Sequence, residues 1–276
     1  MPSVRRSTPK AAPADTEVSN PSTPKVSADE TRMIWRLAAL AQWVALLAAP
    51  QLLWRPHWPA FLAWIGGERN ASVYGNFLLT IAMLVLGNLF FYVVYALRAP
   101  FFENHKIQQE KPWPWEAHVP PQARAAFSKL VWQGVLLTSL NVSITIPLAA
   151  GSYPNLIKFG YSAKAEDFPS AWTMLWQLAV FMIVEDTLFY WGHWTLHRPA
   201  IYQHIHKVHH AFTHSVSIAA VATHPVEYTI SNVIPFVAGP TVLGAHCATT
   251  YVWLIFRLSA SSAPLRVCSA LLAPAR

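Results

Sequence analysis

Four long apolar stretches decide what this chain can fold into. Residues 34–54, 73–97, 127–150 and 171–190 each run for close to the roughly 20 residues that a helix needs to cross a bilayer. In hydrocarbon no water satisfies backbone N–H and C=O groups, so such segments close their own hydrogen bonds as helices. The expected fold is all-α, a polytopic integral membrane bundle. Composition agrees: 54% of the 276 residues are hydrophobic and only 12% charged, with 13 Trp and 14 Phe, whereas roughly a quarter of an ordinary soluble domain is charged. This excludes a disordered chain or a nucleic-acid-coating protein, and nucleic acid is not an expected partner.

The first stretch contains Arg36 and Pro50, so it reads either as a span or as a helix lying at the interface. A last apolar region, 215–256, is long enough for a re-entrant hairpin or two short spans, interrupted by His224, Pro225, Glu227, Pro235 and Pro240. Residues 1–32, rich in Ser, Thr, Pro and charge, read as a disordered polar tail. The first apolar run begins only near Met33, so no signal peptide is expected. The expected organisation is thus a tail (1–32), a membrane-embedded domain (33–258) and a C-terminal tail of different character (259–276).

The net charge of +7 is carried by cations between the apolar runs. The N-terminal tail holds Arg5, Arg6, Lys10, Lys25 and Arg32, and the loop after the second run holds Arg98, Lys106, Lys111, Arg124 and Lys129. The other loops hold Arg55 with Arg69, and Lys158 with Lys164. Because cytoplasmic loops are enriched in Lys and Arg, four spans place the tail, the 98–129 loop and everything just after residue 190 on the cytoplasmic side. If the first run is interfacial, the tail changes side and the segment after residue 190 keeps its place. Cys247 and Cys268 provide neither a disulfide framework nor a thiolate metal motif.

Histidine is the anomaly, since eight of the twelve fall between His193 and His224. His193 and His197 lie four apart at the end of the fourth apolar run, which stacks both imidazoles on one helical face. Asp186 and Tyr190 continue that stripe, and a carboxylate at Asp186 is placed to accept a ring N–H and fix a ligand tautomer. Glu185 falls on the neighbouring face. Pro199 ends the helix. His206, His209 and His210 then repeat the pattern at i, i+3 and i+4. Alone, His193 and His197 read equally as ligands or as amphipathic interface residues; with the second group they form a metal site, since neutral imidazole suits iron, copper and zinc. No cysteine accompanies them, against a structural zinc finger, and no glutamate stands inside a His-Glu-x-x-His run, against a zinc hydrolase.

The remaining histidines are assigned more modest roles. His204 and His214 are read as outer support for the site or as solvated groups, and His57, His105, His118 and His246 as loop or interface residues. His224 and Glu227, in His-Pro-Val-Glu, are candidates for additional ligands or for residues that support the ligands. Phe189, Trp191, Trp194 and Phe212 either line a cavity beside the site or act as packing and interface anchors.

The run Glu185-Asp186 through Tyr190-Trp191, His193-x3-His197, Tyr202, His206-Lys-Val-His209-His210 and His224-Pro-x-Glu227 resembles the fatty acid hydroxylase/sterol desaturase superfamily, with the closest likeness to its C-4 methylsterol monooxygenases. The stretch 104–112 is similar to a loop of that family, so the likeness covers roughly residues 70–257. It implies a multi-pass endoplasmic-reticulum enzyme whose histidine boxes, His193 with His197 and His206 with His209 and His210, hold two non-haem irons facing the cytosol. It further implies O2 as co-substrate, and electrons from NAD(P)H through a reductase and a small b-type haem cytochrome. The implied reaction is hydroxylation of a sterol C-4 methyl group in ergosterol-type biosynthesis, beside the other enzymes of C-4 demethylation. No catalytic side chain beyond the metal site is implied.

That superfamily carries a third histidine box further on. Residues 251–258 still resemble it, whereas 259–276 contain no histidine. The expectation is a chain stopped before its last ligands. Two other readings follow: another lipid oxidase of the superfamily, such as a sterol C-5 desaturase or a fatty-acid or sphingolipid hydroxylase, or an inactive membrane scaffold, since a site lacking ligands loses its metal.

Overall fold

The computed structural model describes residues 28–261 except 105, 107, 109 and 110. The expected C-terminal tail beyond Ser261, most of the expected N-terminal tail, and His105 lie outside the described residues.

Among the described residues every regular element is helical, and Ser162 and His246 form an isolated β-bridge. The main helices are α1 (Ala28–Ala49), α2 (Trp58–Ile65), α3 (Glu68–Leu97), α4 (Pro121–Lys158), α5 (Ala171–Leu196), α6 (225–242) and α7 (Cys247–Ser261). Of these, α3, α4 and α5, of 30, 38 and 26 residues, are long and apolar enough to cross a membrane. Their outward faces carry Leu86, Trp132, Leu136, Ile183 and Trp191, each more than half exposed. So much contiguous apolar surface suits lipid and not water. Helix α1 seats Trp43 on Phe256 of α7, with the ring centroids 4.9 Å apart.

Helix α4 extends past the expected 127–150 at both ends. Pro121 sits at its first turn, where a missing N–H costs nothing, and Pro147 and Pro154 lie within it without ending it. At about 1.5 Å per residue it is roughly 57 Å long, so it outruns a hydrocarbon core of about 30 Å and its terminal charges Arg124 and Lys158 stand well beyond its apolar middle. Helix α5 starts where expected, capped by Ser170, whose Oγ accepts from Thr173 N at 3.1 Å. The 215–256 region resolves into two short helical arms, α6 and α7. The turn between them passes through Gly244 at φ +55°, where a Cβ would lie 2.5 Å from the Phe159 carbonyl, so only glycine fits.

The arms are held against the spans by polar contacts set in an aromatic core. Helix α6 lies along α5, with Gly239 pressed onto Phe181 so closely that a Cβ there would be 2.8 Å from its ring. Tyr251 on α7 donates to the Ala71 carbonyl at 2.6 Å, and Trp253 donates to Phe236 O at 3.3 Å. His246, expected in a loop or at an interface, is buried. Its Nε2 stands 2.9 Å from Lys164 O, and its ring lies between Trp58 and Phe168. Glu185, on the face beside the histidine stripe, is buried and ion-paired with Arg257 of α7. A charge inside an apolar bundle needs such a partner, so this pair ties α5 to the second arm.

Removing one member of a buried pair leaves an uncompensated charge at a cost of about 3–5 kcal/mol. Glu185→Leu is therefore expected to destabilise the detergent-solubilised protein by about that amount, and Glu185→Leu with Arg257→Leu by much less. Thermal or denaturant unfolding of both variants checks this, and equal losses would refute the coupling.

Candidate metal centre

Two local structures converge to build the site. Helix α5 brings His193 to its last turn and ends with His197 as its C-cap, because Pro199 follows and starts a new short turn, Pro199–Tyr202. The chain then reverses into a tight 3₁₀ turn, His206–Ala211, where the sequence had suggested an α-helical face. The tighter winding still aims His206 and His210 back at α5. His193 Nε2 lies 3.2 Å from His197 Nε2, which lies 3.2 Å from His206 Nε2, which lies 3.0 Å from His210 Nε2. His193, His197 and His206 each offer a ring nitrogen within 4.8 Å of the other two.

Protons alone satisfy this chain of nitrogens poorly. An imidazole nitrogen offers either one N–H or one lone pair, yet Nε2 of His197 and of His206 each face two neighbours. A cation resolves the conflict by drawing on the lone pairs of His193, His197 and His206 together, whose ligand atoms all lie within 4.8 Å of one another. Two nitrogens about 2.1 Å from one ion, at angles between a right angle and a tetrahedral corner, stand about 3.0–3.4 Å apart. The observed spacings fit that range, so the donor set suits a divalent transition metal.

His209 is the least engaged of the five. Its ring stacks on His206 at 5.7 Å and lies 5.6 Å from His210, but its nitrogens are not among those in close contact. Phe189 stacks on His193 at 5.4 Å, and Tyr202 lies within 6 Å of the rings of His197, His206 and His210. Tyr202 thus packs on the centre although only its place in the family likeness had drawn attention to it.

The carboxylate beside the imidazoles is Glu227, not Asp186. Asp186 and Tyr190, expected on the histidine stripe, are exposed, and neither contacts an imidazole, because the helix turns that stretch of the stripe outward. Glu227 is 3% exposed, with Oε1 2.9 Å from Nδ1 of the fully buried His206, while its Oε2 has no hydrogen-bond partner among the described residues. Its position follows from the local sequence: His224 caps α6 by accepting from Val226 N at 3.2 Å, Pro225 opens the helix, and Glu227 falls in its first turn, facing inward. His224 itself is a cap and stands outside the close nitrogen contacts. His204 is exposed, and His214 packs edge-on against Phe127.

Burial, then the crowd of neighbouring imidazoles, lowers His206 to about 3 and also lowers His209 and His210. Burial pushes Glu227 up to about 8. Without metal, His206, His209 and His210 thus favour neutral imidazole, and Glu227 the neutral acid, at neutral pH.

An unfolded glutamate loses its proton near 4.5, whereas folded Glu227 keeps it until about 8. Between those values the folded state holds the extra proton, so this residue's contribution to stability falls as pH rises from 4.5 to 8. In metal-free protein, wild type is expected to lose about 1.4 kcal/mol per pH unit over that window relative to Glu227→Gln. Unfolding midpoints across the window measure this, and a difference that does not change with pH would refute the neutral buried acid.

Comparison with known proteins agrees with this geometry. The family model for fatty acid hydroxylase matches residues 178–263, a segment that takes in all five histidines and Glu227. A human "Fatty acid hydroxylase domain-containing protein 2" is 33% identical over 115 residues, 42% of this chain and 34% of its own length. A "Putative methylsterol monooxygenase" of Dictyostelium discoideum is 33% identical over 208 residues, 74% of this chain and 70% of its own. "Methylsterol monooxygenase 2-2" of Arabidopsis thaliana is 29% identical over 184 residues, covering 67% and 63% respectively. The chain thus spans about a third of the human relative and about two thirds of the other two. No solved structure matches. With the Dictyostelium likeness running through most of both chains, and the family model resting on the segment that builds the histidine centre, the chain belongs to the fatty acid hydroxylase family, on the side of its methylsterol monooxygenases.

Proposed function

We propose that this protein is an O2-dependent monooxygenase that hydroxylates the C-4 methyl group of a sterol at two non-haem irons. The observation that carries the reading is a chain of four imidazole Nε2 atoms, each 3.0–3.2 Å from the next, at the end of an apolar helix. The names of the methylsterol relatives supply the substrate class. An aliphatic C–H bond resists every side-chain acid, base or nucleophile, and bound iron supplies the oxidant that such chemistry requires.

In this reading His193, His197, His206 and His210 hold metal through Nε2, and His209, the fifth histidine of the two boxes, stacks on His206 beside them. With the Nε2 lone pair of His206 given to a metal, its one ring proton would stand on Nδ1, 2.9 Å from Glu227 Oε1, and a Glu227 carboxylate accepting that N–H would fix the ring. Phe189 and Tyr202 pack on the rings of His193 and His197 and help to fix their orientation. An apolar substrate reaches such a site from the bilayer.

The placement proposed is the endoplasmic-reticulum membrane with the histidines toward the cytosol. Supporting it, Nε2 of Gln108 and Nζ of Lys111 each donate to Thr213 O at 3.2 Å, which joins the basic 98–118 loop to the end that carries the histidines. Electrons come from NAD(P)H through a reductase and a b-type cytochrome, and the oxidised sterol passes to the other enzymes of C-4 demethylation.

Metal analysis and turnover test the reading. Purified protein loaded with ferrous iron is expected to retain it and, given reductant and O2, to oxidise a 4,4-dimethylsterol. His197→Ala or His206→Ala is expected to abolish both, and Glu227→Gln to weaken metal binding by about 10–100-fold. Iron retained equally by wild type and the two alanine variants would refute the ligand set.

A further inference from the structure

A cavity of about 990 Å³ opens between α3 and α4. A second, of about 510 Å³, shares Phe77, Leu84 and Val142 with it and is bounded by those two helices and the arms α6 and α7. The smaller cavity reaches the histidine end of the molecule, because α6 is fixed there at two points. Glu227 Oε1 lies 2.9 Å from His206 Nδ1. Ile230 and Ser231 pack on Gly192, the residue before His193, so closely that a Cβ there would stand 3.4 Å from Ile230 Cγ2 and 3.5 Å from Ser231 Oγ. Tyr228 and Asn232, which line the cavity, belong to that fixed stretch. On α4 the cavity wall runs from Val142 to Leu156, about 21 Å at 1.5 Å per residue. Val142 adjoins Asn141, whose Nδ2 donates to Thr223 O at 2.9 Å, so the Val142 end is the end at which α6 begins.

Most polar side chains of the lining are used by the protein itself. The hydroxyls of Thr80, Thr145, Ser152, Thr229 and Thr241 donate to carbonyls three or four residues back. Arg257, the one charged residue of the lining, is ion-paired with Glu185. Asn76 Oδ1 is unpartnered but has no open surface, as is true of unpartnered atoms in several helices. The Tyr228 hydroxyl and the Asn232 amide differ from both groups. Neither makes a hydrogen bond to a described residue, and neither is among the sealed atoms, so both present open surface where they line the cavity. They stand four residues apart in a stretch of α6, Tyr228–Val233, that winds as a π-helix, a local widening often found at functional sites. Tyr153, another unbonded hydroxyl of the lining, lies near the Lys158 end of α4, away from the histidines.

The histidine end of the cavity thus offers a phenol and an amide, which both donate and accept, and no free charge. Such a pair suits an alcohol and not a carboxylate. The remaining length is mostly apolar, with Phe77, Leu148, Phe236 and Leu254 among its walls, and the volume is within the range of sites that engulf one small ligand.

We infer that this cavity binds the lipid substrate with its hydroxyl group held by Tyr228 and Asn232 and its apolar body extended along α4 toward Leu156. The inference rests on the sterol reading above and deepens it. In a 4-methylsterol the hydroxyl-bearing carbon adjoins C-4, so holding the hydroxyl at Tyr228 brings C-4, and not the tail, to the histidine end of the cavity. Tyr228 and Asn232 are positioning residues, acting through substrate orientation and taking no part in the proton or electron steps.

Binding, measured without iron, tests this. A radiolabelled 4-methylsterol and its 3-deoxy counterpart are titrated into the full chain in nanodiscs. Wild type is expected to prefer the hydroxylated ligand by about tenfold, the effect of one or two neutral hydrogen bonds. Tyr228→Phe with Asn232→Ala is expected to bind the 3-deoxy ligand as wild type does and to lose the preference. Tyr153→Phe, which removes the hydroxyl at the other end, is expected to keep it. Absence of preference in wild type, as for a cavity filled by any acyl chain of the bilayer, overturns the inference. So does its persistence in the double variant or its loss in Tyr153→Phe. Should the double variant bind neither ligand, the single variants decide: a reduced preference in either supports the inference, and a full preference in both overturns it. A chain that discriminates the two ligands but never oxidises either refutes the proposed activity alone, whereas one that oxidises 4-methylsterols without discriminating refutes this inference alone.

Discussion

The whole architecture follows from one constraint, that a backbone surrounded by apolar side chains and lipid must satisfy its own hydrogen bonds. It makes α3, α4 and α5 continuous helices, and it leaves polar chemistry only where helices end. His193 and His197 lie at such an end, where α5 stops before Pro199 and the backbone can turn toward solvent. The 3₁₀ turn that carries His206 and His210 is short enough to fold back onto that end. The centre is therefore a helix terminus closed by a returning loop, a construction that puts ligands at the edge of the apolar region and within reach of a lipid.

Keeping polar groups inside such a bundle demands partners, and the partners reveal roles. The Glu185–Arg257 pair is a closed contact that fastens one arm to a span. Glu227 and His206 are an open one: the carboxylate touches the imidazole through one oxygen while the other remains without a bond. Nε2 of His206 points into the group of nitrogens, so the same ring links the buried acid to the candidate metal position. Closed pairs stabilise, whereas the open one stands beside the candidate metal position.

Much of the site was legible in the sequence because helical periodicity is local. The four-residue spacing of His193 and His197 describes a face whatever that face meets, and the second histidine group stayed close to the first through the short turn begun at Pro199. Asp186 lies on the same stripe by counting, yet counting does not say which part of a long helix is covered. The bundle leaves Asp186 exposed and brings Glu227 from α6 instead. His246 shows the same limit, since its burial depends on Trp58, which is remote in sequence.

By itself the sequence determined an all-helical membrane-type chain, the extent of its apolar runs to within a few turns, and the histidines that gather at the end of one of them. These depend on hydropathy and on 3.6-residue periodicity, both properties of neighbours along the chain. Only the tertiary structure decided which carboxylate touches an imidazole, which charges are paired, and where an apolar cavity opens between α3 and α4. Those outcomes depend on how α4, α6 and the segment after His210 pack together, through contacts such as Asn141 with Thr223 that join residues far apart in the chain.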